Sequence, residues 1–318
     1  MKVFVAGAAG AIGVQLVPQL VERGHEVVGM TRSQSNRALL ARLGARPVIA
    51  DALDRQAVMR AVTEADPEVV VHELTALSGK LNMRRIGRLL AATNRLRTEG
   101  TDHLLAAAKA VGARRFIAQS FTGWPFARIG GPVKTESDPL DPTPPAALRD
   151  ALAAIRHVEV SVAGIEWAEG VVLRYGALYG PGTGMSADPN APMTRAVLRR
   201  QVPIVGDGGG VWSFVHVADA ASATVQAIEY GAAGLYNVVD DEPAPVRDWL
   251  PALAKALHAR PPRRVPRWVG RMLGGEVLAV WFTEIRGASN HKSRHELGWE
   301  PGHPTWRTGF AQALGGAR

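Results

Sequence analysis

Short apolar runs alternate with longer stretches in which apolar residues recur every three or four positions, and this alternation fills the first half of the chain. The short runs are typical of buried strands, and the longer stretches are typical of amphipathic helices. Six strands are predicted, at Lys2–Ala6, Glu26–Met30, Arg46–Ala50, Glu68–His72, Arg115–Gln119 and Val171–Tyr175. The predicted helices lie at Ala11–Arg23, Gln34–Leu43, Asp54–Glu64, Met83–Val111 (one helix or two) and Ala146–Ala163. This order predicts an α/β fold, with a doubly wound parallel sheet between two layers of helices.

The turn after the first predicted strand is rich in glycine. Residues 3–13 read VFVAGAAGAIG, so that Gly7, Gly10 and Gly13 separate the strand from the helix. Glycines allow a sharp turn and a close approach of the backbone to a bulky group, and the start of a helix presents free N–H groups. The pattern therefore predicts a dinucleotide site of the Rossmann type, in which Ala11 and Ile12 also contact the pyrophosphate.

Two proline-rich stretches interrupt the alternation. Residues 123–145 contain six prolines, which predict a loop, and residues 178–192 read LYGPGTGMSADPNAP and predict that the chain leaves the sheet. We therefore expect a dinucleotide-binding domain of residues 1–175 plus about 211–235. A smaller C-terminal lobe, of residues about 176–210 and 236–318, is expected to bind the substrate over the strand ends.

Composition narrows the possible functions. The 318 residues contain no cysteine, which excludes disulfides, thiolate nucleophiles and cysteine metal sites, and the nine histidines show no metal-ligand spacing. The net charge of +8 comes from scattered basic residues, so nucleic acid is not an expected partner. These scattered basic residues include Arg84, Arg85, Arg88, Arg95 and Arg97. No apolar stretch is long enough for a membrane span, and a cytoplasmic location is the default expectation.

The choice of cofactor depends on the end of the second strand. NAD sites usually place an acid there for the ribose 2′-hydroxyl, whereas this chain has Thr31, Arg32 and Ser33. A guanidinium can pair with a 2′-phosphate, so NADP(H) is predicted in preference to NAD(H). Asp51, followed by Ala52, is predicted to accept the adenine amino group at the end of the third strand. Asp54 suits a helix N-cap.

Ordered motifs along the chain resemble those of the extended short-chain dehydrogenase/reductase family, which includes nucleotide-sugar epimerases and dehydratases. The glycine triplet and Asp51 are followed by VVVHELTA (69–76), EGTDHLLAAA (99–108), FIAQS (116–120), VLRYGALYGPG (172–182), VWSFVHVADAA (211–221), LYNVVDDEP (235–243) and HELGWEP (295–301). The resemblance implies a nicotinamide cofactor, which Leu74, Ser120 and Tyr175 help to bind, and a small-molecule substrate. It also implies a homodimer formed through the two long helices after the fourth and fifth strands.

The chain departs from this family in its catalytic residues. The family uses a Tyr-x-x-x-Lys pair on the helix after the fifth strand, but none of the four tyrosines here has a lysine four residues later. Phe121 stands about where the family has a catalytic hydroxyl. The candidates for an alternative proton donor are Thr122, Lys134 and Tyr175, or Arg149 and Asp150 on the altered helix.

Three functions remain open. The chain is predicted to be an NADP(H)-dependent oxidoreductase that acts on a small carbonyl or alcohol substrate. Loss of the catalytic pair favours instead a non-catalytic NADP(H) sensor, and the family resemblance allows a nucleotide-sugar epimerase or dehydratase. Four arginines of the second lobe are candidates to bind a diphosphate, although the tryptophans there make an aromatic substrate equally plausible. These arginines are Arg195, Arg199, Arg200 and Arg286.

Overall fold

The computed structural model describes residues 1–77 and 83–315. Seven strands form the main sheet, and eight shorter strands form two-stranded pairs. In chain order the strands are β1 Lys2–Ala6, β2 Glu26–Thr31, β3 Arg46–Ile49, β4 Val69–His72, β5 Arg115–Phe121, β6 Val133–Lys134, β7 Glu169–Tyr175, β8 Ala177–Tyr179, β9 Ile204–Val205, β10 Val211–Trp212, β11 Phe214–His216, β12 Gly234–Val238, β13 Ala244–Pro245, β14 Arg264–Val265 and β15 Gly287–Ala288.

Helices connect these strands, and short 3₁₀ turns precede three of them. The helices are α1 Ala11–Glu22, α2 Arg37–Arg42, α3 Arg55–Ala65, α4 Ile86–Arg95, α5 Thr101–Ala110, α6 Arg149–Ala163, α7 Pro192–Leu198, α8 Val217–Glu229, α9 Val246–Ala256, α10 Arg267–Thr283, α11 His291–Glu296 and α12 Trp306–Leu314. A π-helical turn, Leu96–Gly100, joins α4 to α5. Within the described ranges, no helix is both long and apolar enough to cross a membrane.

The seven main strands are all parallel and lie in the order β3-β2-β1-β4-β5-β7-β12. The order reverses between β1 and β4, which are neighbours although two strands and three helices separate them in sequence. Ligands of doubly wound sheets bind outside the carboxyl ends of the strands at such a reversal. The fold therefore places a binding cleft at the ends of β1 and β4.

Alternating side chains of the sheet belong to different cores. Val3 and Val5 pack with α1 and α8 on one face, whereas Phe4 and Ala6 pack with α3 and α5 on the other. A third cluster around Trp249 forms the core of the C-terminal residues. The period-two alternation of a strand explains why β1 is apolar throughout, since both of its faces are covered.

The doubly wound α/β fold is confirmed, and the six predicted strands lie within two residues of their predicted bounds. The edge strand β12 was not predicted from the sequence. Because of it, the sheet continues to Val238, three residues beyond the predicted domain boundary at 235. The predicted helical region 83–111 is divided into α4 and α5 by the π turn. The division into two domains otherwise stays a prediction.

Candidate functional site

Gly7 and Gly13 allow the backbone of β1 and α1 to approach its neighbours closely. Gly7 has φ +95°, and a Cβ atom there would lie 2.6 Å from the carbonyl oxygen of Glu73 after β4. A Cβ atom at Gly13 would lie 2.5 Å from the carbonyl oxygens of Gly7 and Ala8. Any side chain at these positions would have to displace backbone, so the sequence pattern reflects a real steric requirement.

The start of α1 presents backbone donors. Gly10 is the N-cap residue and provides no side-chain cap, and the first intrahelical bond runs from Val14 N–H to Gly10 O. The N–H groups of Ala11, Ile12 and Gly13 therefore lie in the first turn, where a helix supplies no acceptor. The Ile12 side chain is in the core, so only its backbone can contact a ligand. These donors fit a pyrophosphate.

A cleft of about 370 Å³ lies at the strand ends beside this turn. Six residues predicted to bind the cofactor line it, namely Gly7, Gly10, Arg32, Asp51, Ala52 and Leu74. Seven further lining residues were not predicted from the sequence, namely Ala9, Asn36, Leu53, Thr75, Ala76, Ala92 and Leu96. Only their positions in the sequence could have indicated them, because they follow strand ends or lie on or just after α4, which packs over the cleft. The cleft has the form that a dinucleotide requires.

The carboxyl end of β2, which borders the cleft, carries Thr31, Arg32 and Ser33 instead of a carboxylate. Asn36 Nδ2 donates to Thr31 Oγ1 at 3.1 Å, and the Ser33 N–H donates to the same oxygen at 3.3 Å. Arg32 is exposed, and its side chain makes no ion pair with any residue in the described ranges. This arrangement leaves a guanidinium free to bind a phosphate.

The residues after β3 divide the roles that the sequence left open. Asp51 is exposed and lines the cleft, and its Oδ1 accepts from the Leu53 N–H at 3.0 Å. Asp54 accepts from the N–H groups of Gln56 and Ala57, each at 3.0 Å, so its prediction as an N-cap is confirmed. Asp51 therefore stays the candidate partner of the adenine.

The structure argues against a role for Tyr175 at the site. Its phenol is buried on the α8 side of the sheet, where Oη lies 2.9 Å from Glu73 Oε1 and 2.7 Å from Thr224 Oγ1. Burial, together with the charge of Glu73, raises the pKa of Tyr175 well above its usual range. A phenol held in this way neither contacts a ligand in either cleft nor exchanges a proton there, which corrects the sequence prediction.

Lys134 and Ser120 are also engaged elsewhere. Lys134 lies on β6 and is buried rather than exposed, and its Nζ donates to Asp138 Oδ1 at 3.0 Å. Ser120 is buried, and its hydroxyl donates to Glu159 Oε1 at 2.8 Å. Neither residue lines a cleft within the described ranges, because Ser120 points to the α6 face of the sheet. We therefore remove Lys134 from the proton donors and Ser120 from the cofactor contacts.

Thr122 remains a candidate proton donor. Its hydroxyl is buried, has no hydrogen-bond partner in the described part of the chain, and lines a small cavity of about 40 Å³. The cavity is otherwise walled largely by aromatic and aliphatic groups, among them Phe121, Trp124 and Trp281. A buried hydroxyl without a partner is uncommon, so the position of this group requires a functional or solvent partner.

A second, apolar cleft of about 290 Å³ adjoins the first. Its walls come from α4, α7, α10 and the loop after β5, and they include Leu77, Ile86, Leu89, Leu90, Arg97, Phe121, Trp124, Leu178, Met185, Met193 and Trp281. The rings of Trp124 and Trp281 lie 6.2 Å apart. Successive residues line the two clefts, with Leu96 in the dinucleotide cleft and Arg97 in the apolar cleft. A ligand in the apolar cleft would therefore lie next to a bound dinucleotide.

Glu73 is a buried carboxyl group next to the dinucleotide cleft. Burial raises its pKa from 4.5 to about 8, although the hydrogen bond with Tyr175 opposes this shift, and its Oε2 has no partner in the described residues. Because the folded pKa is raised, the protonated form favours folding. This contribution is fully present below pH 4.5 and is lost as the pH rises towards 8.

The Glu73→Gln variant is therefore expected to be more stable than the wild type at alkaline pH. The amide cannot ionise, so the difference in free energy of unfolding should grow from pH 4.5 to about 8, by about 1.4 kcal/mol for each unit of pH, and level off above the folded pKa. Urea unfolding at several pH values measures this difference. A difference that is constant over this range would show that Glu73 is not protonated in the folded protein.

His216, Asp219 and His303 form a cluster with potential metal ligands within 4.8 Å of one another. Asp219 accepts from the N–H groups of Gly302 and His303, and His216 Nδ1 accepts from the Ala218 N–H. These bonds attach the C-terminal residues to α8, and they engage both carboxylate oxygens of Asp219 and the Nδ1 atom of His216. The cluster therefore has a structural explanation.

The family model named NAD dependent epimerase/dehydratase family matches residues 3–238, which include the glycine turn, the cleft and β12. The chain belongs to this family. The resemblance to extended short-chain dehydrogenases/reductases that the motifs indicated is thereby confirmed.

Similar proteins extend the family match along the whole chain. A curated relative from a Streptomyces species, 3-diazoavenalumate denitrifying reductase, is 46% identical over 317 residues, which cover 98% of this chain and all of the relative. The fold matches UDP-glucose 4-epimerase from Thermotoga maritima, solved with UDP-glucose, with a TM-score of 0.76 and 23% identity over 98% of this chain and 97% of that one. It also matches a human epimerase family protein solved with NADPH, with a TM-score of 0.73 and 17% identity over 99% of this chain and all of that one.

Proposed function

We propose that this family member is an NADPH-dependent reductase that transfers a hydride to an aromatic acceptor in the apolar cleft. The observation that carries the proposal is the junction of the two clefts at Leu96 and Arg97, which places an aromatic-walled cavity beside a dinucleotide site. When bound, the dihydronicotinamide supplies the hydride. The protein orients the acceptor between Phe121, Trp124 and Trp281 and keeps bulk water away from it.

The preference for NADPH is the finer part of this proposal. Arg32 stands at the end of β2, where an NAD site would need a carboxylate, and its charge has no partner in the described residues. A guanidinium in this position attracts the 2′-phosphate through charge-assisted hydrogen bonds.

Replacing Arg32 by alanine is expected to weaken NADPH binding about tenfold and to leave NADH binding nearly unchanged, since only NADPH carries the 2′-phosphate. Calorimetric titration with both cofactors measures the effect, and Arg42→Ala, at the exposed end of α2, is the control that should change neither affinity. A variant that loses affinity for both cofactors equally would contradict the role of Arg32.

The side chains suit an acceptor that needs no proton from the enzyme. Helix α6 carries neither tyrosine nor lysine, and Phe121 places a ring where the family has a hydroxyl. An aryl diazonium ion is such an acceptor, because a hydride converts Ar–N₂⁺ to Ar–H and N₂ with no oxyanion to protonate. The name of the 46% identical relative, a denitrifying reductase of a diazo compound, supports this choice.

The test measures NADPH oxidation and N₂ release with 4-diazobenzoate as the probe. We expect NADP⁺, N₂ and benzoate in equal amounts, at a rate well above those of the probe without protein and of the probe with the Gly7→Ala variant. Tight cofactor binding without turnover of this probe, or of ketones, aldehydes and quinones, would contradict the proposal and support the sensor.

A carbonyl substrate is the second candidate, and the free hydroxyl of Thr122 is the observation that favours it. Hydride addition to a carbonyl requires a proton for the oxygen, and Thr122 lies in the cavity that shares Phe121 with the apolar cleft. Under this alternative Thr122→Val abolishes ketone reduction, whereas diazonium reduction does not depend on the hydroxyl.

A nucleotide sugar suits the cleft less well. The walls offer apolar and aromatic groups where a sugar needs polar partners. Two of the arginines considered for a diphosphate are engaged with backbone, since Arg200 donates to Pro261 O at 3.1 Å and Arg286 donates to Arg128 O at 3.0 Å. The homodimer stays a prediction, to be tested by light scattering in solution.

A further inference from the structure

Arg97 lies on the π-helical turn between α4 and α5, at the wall of the apolar cleft. The Thr101 N–H bonds to Leu96 O, five residues back, which widens this turn relative to an α-helix. Such single π turns in longer helices occur frequently at functional sites. The wider turn changes the direction in which the Arg97 side chain leaves the helix. The Arg97 side chain is buried, whereas those of Arg95 and Glu99 are exposed.

Strand β4 holds this turn in place. Thr101 Oγ1 donates to Arg97 O at 2.7 Å, and His72 Nε2 lies 3.1 Å from Thr101 Oγ1 and 3.3 Å from Leu96 O. His72 Nδ1 accepts from the Leu74 N–H, so Nε2 carries the ring proton. Burial lowers the pKa of His72 to about 4, which keeps the ring neutral at pH 7. His72 is thus a positioning residue for the turn.

The guanidinium of Arg97 is buried without a counter-ion. Arg97 is 7% exposed, its side chain makes no hydrogen bond or ion pair with any residue of the described ranges, and its Nε is shut off from solvent. Burial lowers the pKa of Arg97 to about 10, so the group remains charged at pH 7. Glu159 acts on this charge from a distance, but its carboxylate is bound by Arg174 at 2.6 and 2.7 Å.

The other buried cations of the described chain show that Arg97 is exceptional. Arg115 pairs with Glu169, Lys134 pairs with Asp138, and Arg174 pairs with Glu159. A buried charge without a partner strongly destabilises a folded protein. A protein can keep such a group where a ligand supplies the missing charge.

We propose that Arg97 binds the carboxylate of the substrate, so that the apolar cleft selects an aromatic acid. The rings of Phe121, Trp124 and Trp281 suit the aromatic part, and the guanidinium offers a two-pronged bond to a carboxylate. This role of Arg97 rests on the proposed reductase function, because that function makes the apolar cleft the substrate site. By binding the carboxylate, Arg97 fixes the position of the substrate relative to the cofactor.

The experiment compares an acid with its uncharged analogue, and it needs no turnover. Calorimetry measures the binding of 4-hydroxycinnamate and 4-hydroxycinnamamide to the protein saturated with NADP⁺. We expect wild type to bind the acid about tenfold or more tightly than the amide. Arg97→Gln should lose this preference, and Arg97→Lys should keep part of it.

Two controls separate recognition from folding. Arg88→Gln, an exposed position on α4, should retain the preference for the acid. Arg97→Gln should unfold at the same or a higher denaturant concentration than wild type, because it removes an uncompensated buried charge. Its NADP⁺ affinity should stay within about twofold of wild type.

Several outcomes would overturn the proposal. These are equal binding of the two ligands by wild type, no binding of either at millimolar concentration, or a loss in Arg97→Gln that falls on NADP⁺ instead of on the acid. The result is independent of the reductase assay. A preference for the acid without NADPH oxidation would support carboxylate binding by Arg97 and contradict the reductase function. NADPH oxidation without the preference would support the reductase function and contradict carboxylate binding by Arg97.

Discussion

Replacing Gly7 by alanine is expected to reduce the affinity for NADPH at least about a hundredfold. The position has φ +95°, and the new Cβ atom would lie 2.6 Å from the carbonyl oxygen of Glu73. Both constraints push the turn away from β4, and this turn aims the N–H groups at the start of α1. Calorimetric titration with NADPH measures the loss.

Gly24→Ala is the matched control for this variant. Gly24 also has a positive φ, of +79°, but among the described residues no atom lies within 4 Å of the Cβ position, and Gly24 is in the turn between α1 and β2. Both variants bear the same kind of backbone strain, so thermal unfolding should show similar losses of stability from this source. Wild-type NADPH affinity in Gly7→Ala would refute the dinucleotide site itself.

Removing the Glu159 carboxylate is expected to lower the free energy of unfolding by about 3–5 kcal/mol. Glu159 binds Arg174 through two hydrogen bonds, of 2.7 and 2.6 Å, and also accepts from the Ser120 hydroxyl. The side chains of the pair are only 5% and 6% exposed, so Glu159→Ala leaves a buried guanidinium without its partner. Denaturant unfolding measures the change.

The double variant Glu159→Leu/Arg174→Met distinguishes the pair from its parts. Since it removes both charges, we expect it to be clearly more stable than Glu159→Ala and within about 2 kcal/mol of wild type. Glu99→Ala breaks the exposed pair that Glu99, on the π turn, forms with Arg95 at the end of α4, and it should leave the stability nearly unchanged. A double variant as unstable as Glu159→Ala would show that packing, and not charge, explains the loss.

The contrast between Arg174 and Arg97 bears on the function of the site. Arg174 is neutralised within the protein and contributes to the fold, whereas Arg97, at the wall of a cleft, pairs with no carboxylate of the described residues. Both lie near Glu159, which can compensate only one of them fully. The charge of Arg97 is therefore available to a ligand. The pairing of Glu159 with Arg174 thus stabilises the core and at the same time leaves Arg97 to bind an acid.

Several sequence predictions failed for one reason, which is that a strand residue's neighbours are set by the sheet and not by the motif. Ser120 belongs to a motif that accompanies the cofactor, yet its side chain meets Glu159 on α6. Tyr175 ends its strand as predicted, yet its phenol meets Glu73 and Thr224 under α8. A family resemblance predicts where such residues lie along the chain. It does not predict which side chains they contact when the family's catalytic pair is absent from the sequence.

The sequence by itself determined the parallel sheet, the glycine turn and the absence of a carboxylate after β2, because strand period, helix period and glycine geometry are local properties. Only the tertiary structure decided which charges have partners. Arg97 stands in sequence between exposed charges and resembles a solvated helix position, until the π turn directs it inward. The apolar cleft likewise brings together residues from Leu77 to Trp281, and no local pattern contains that proximity.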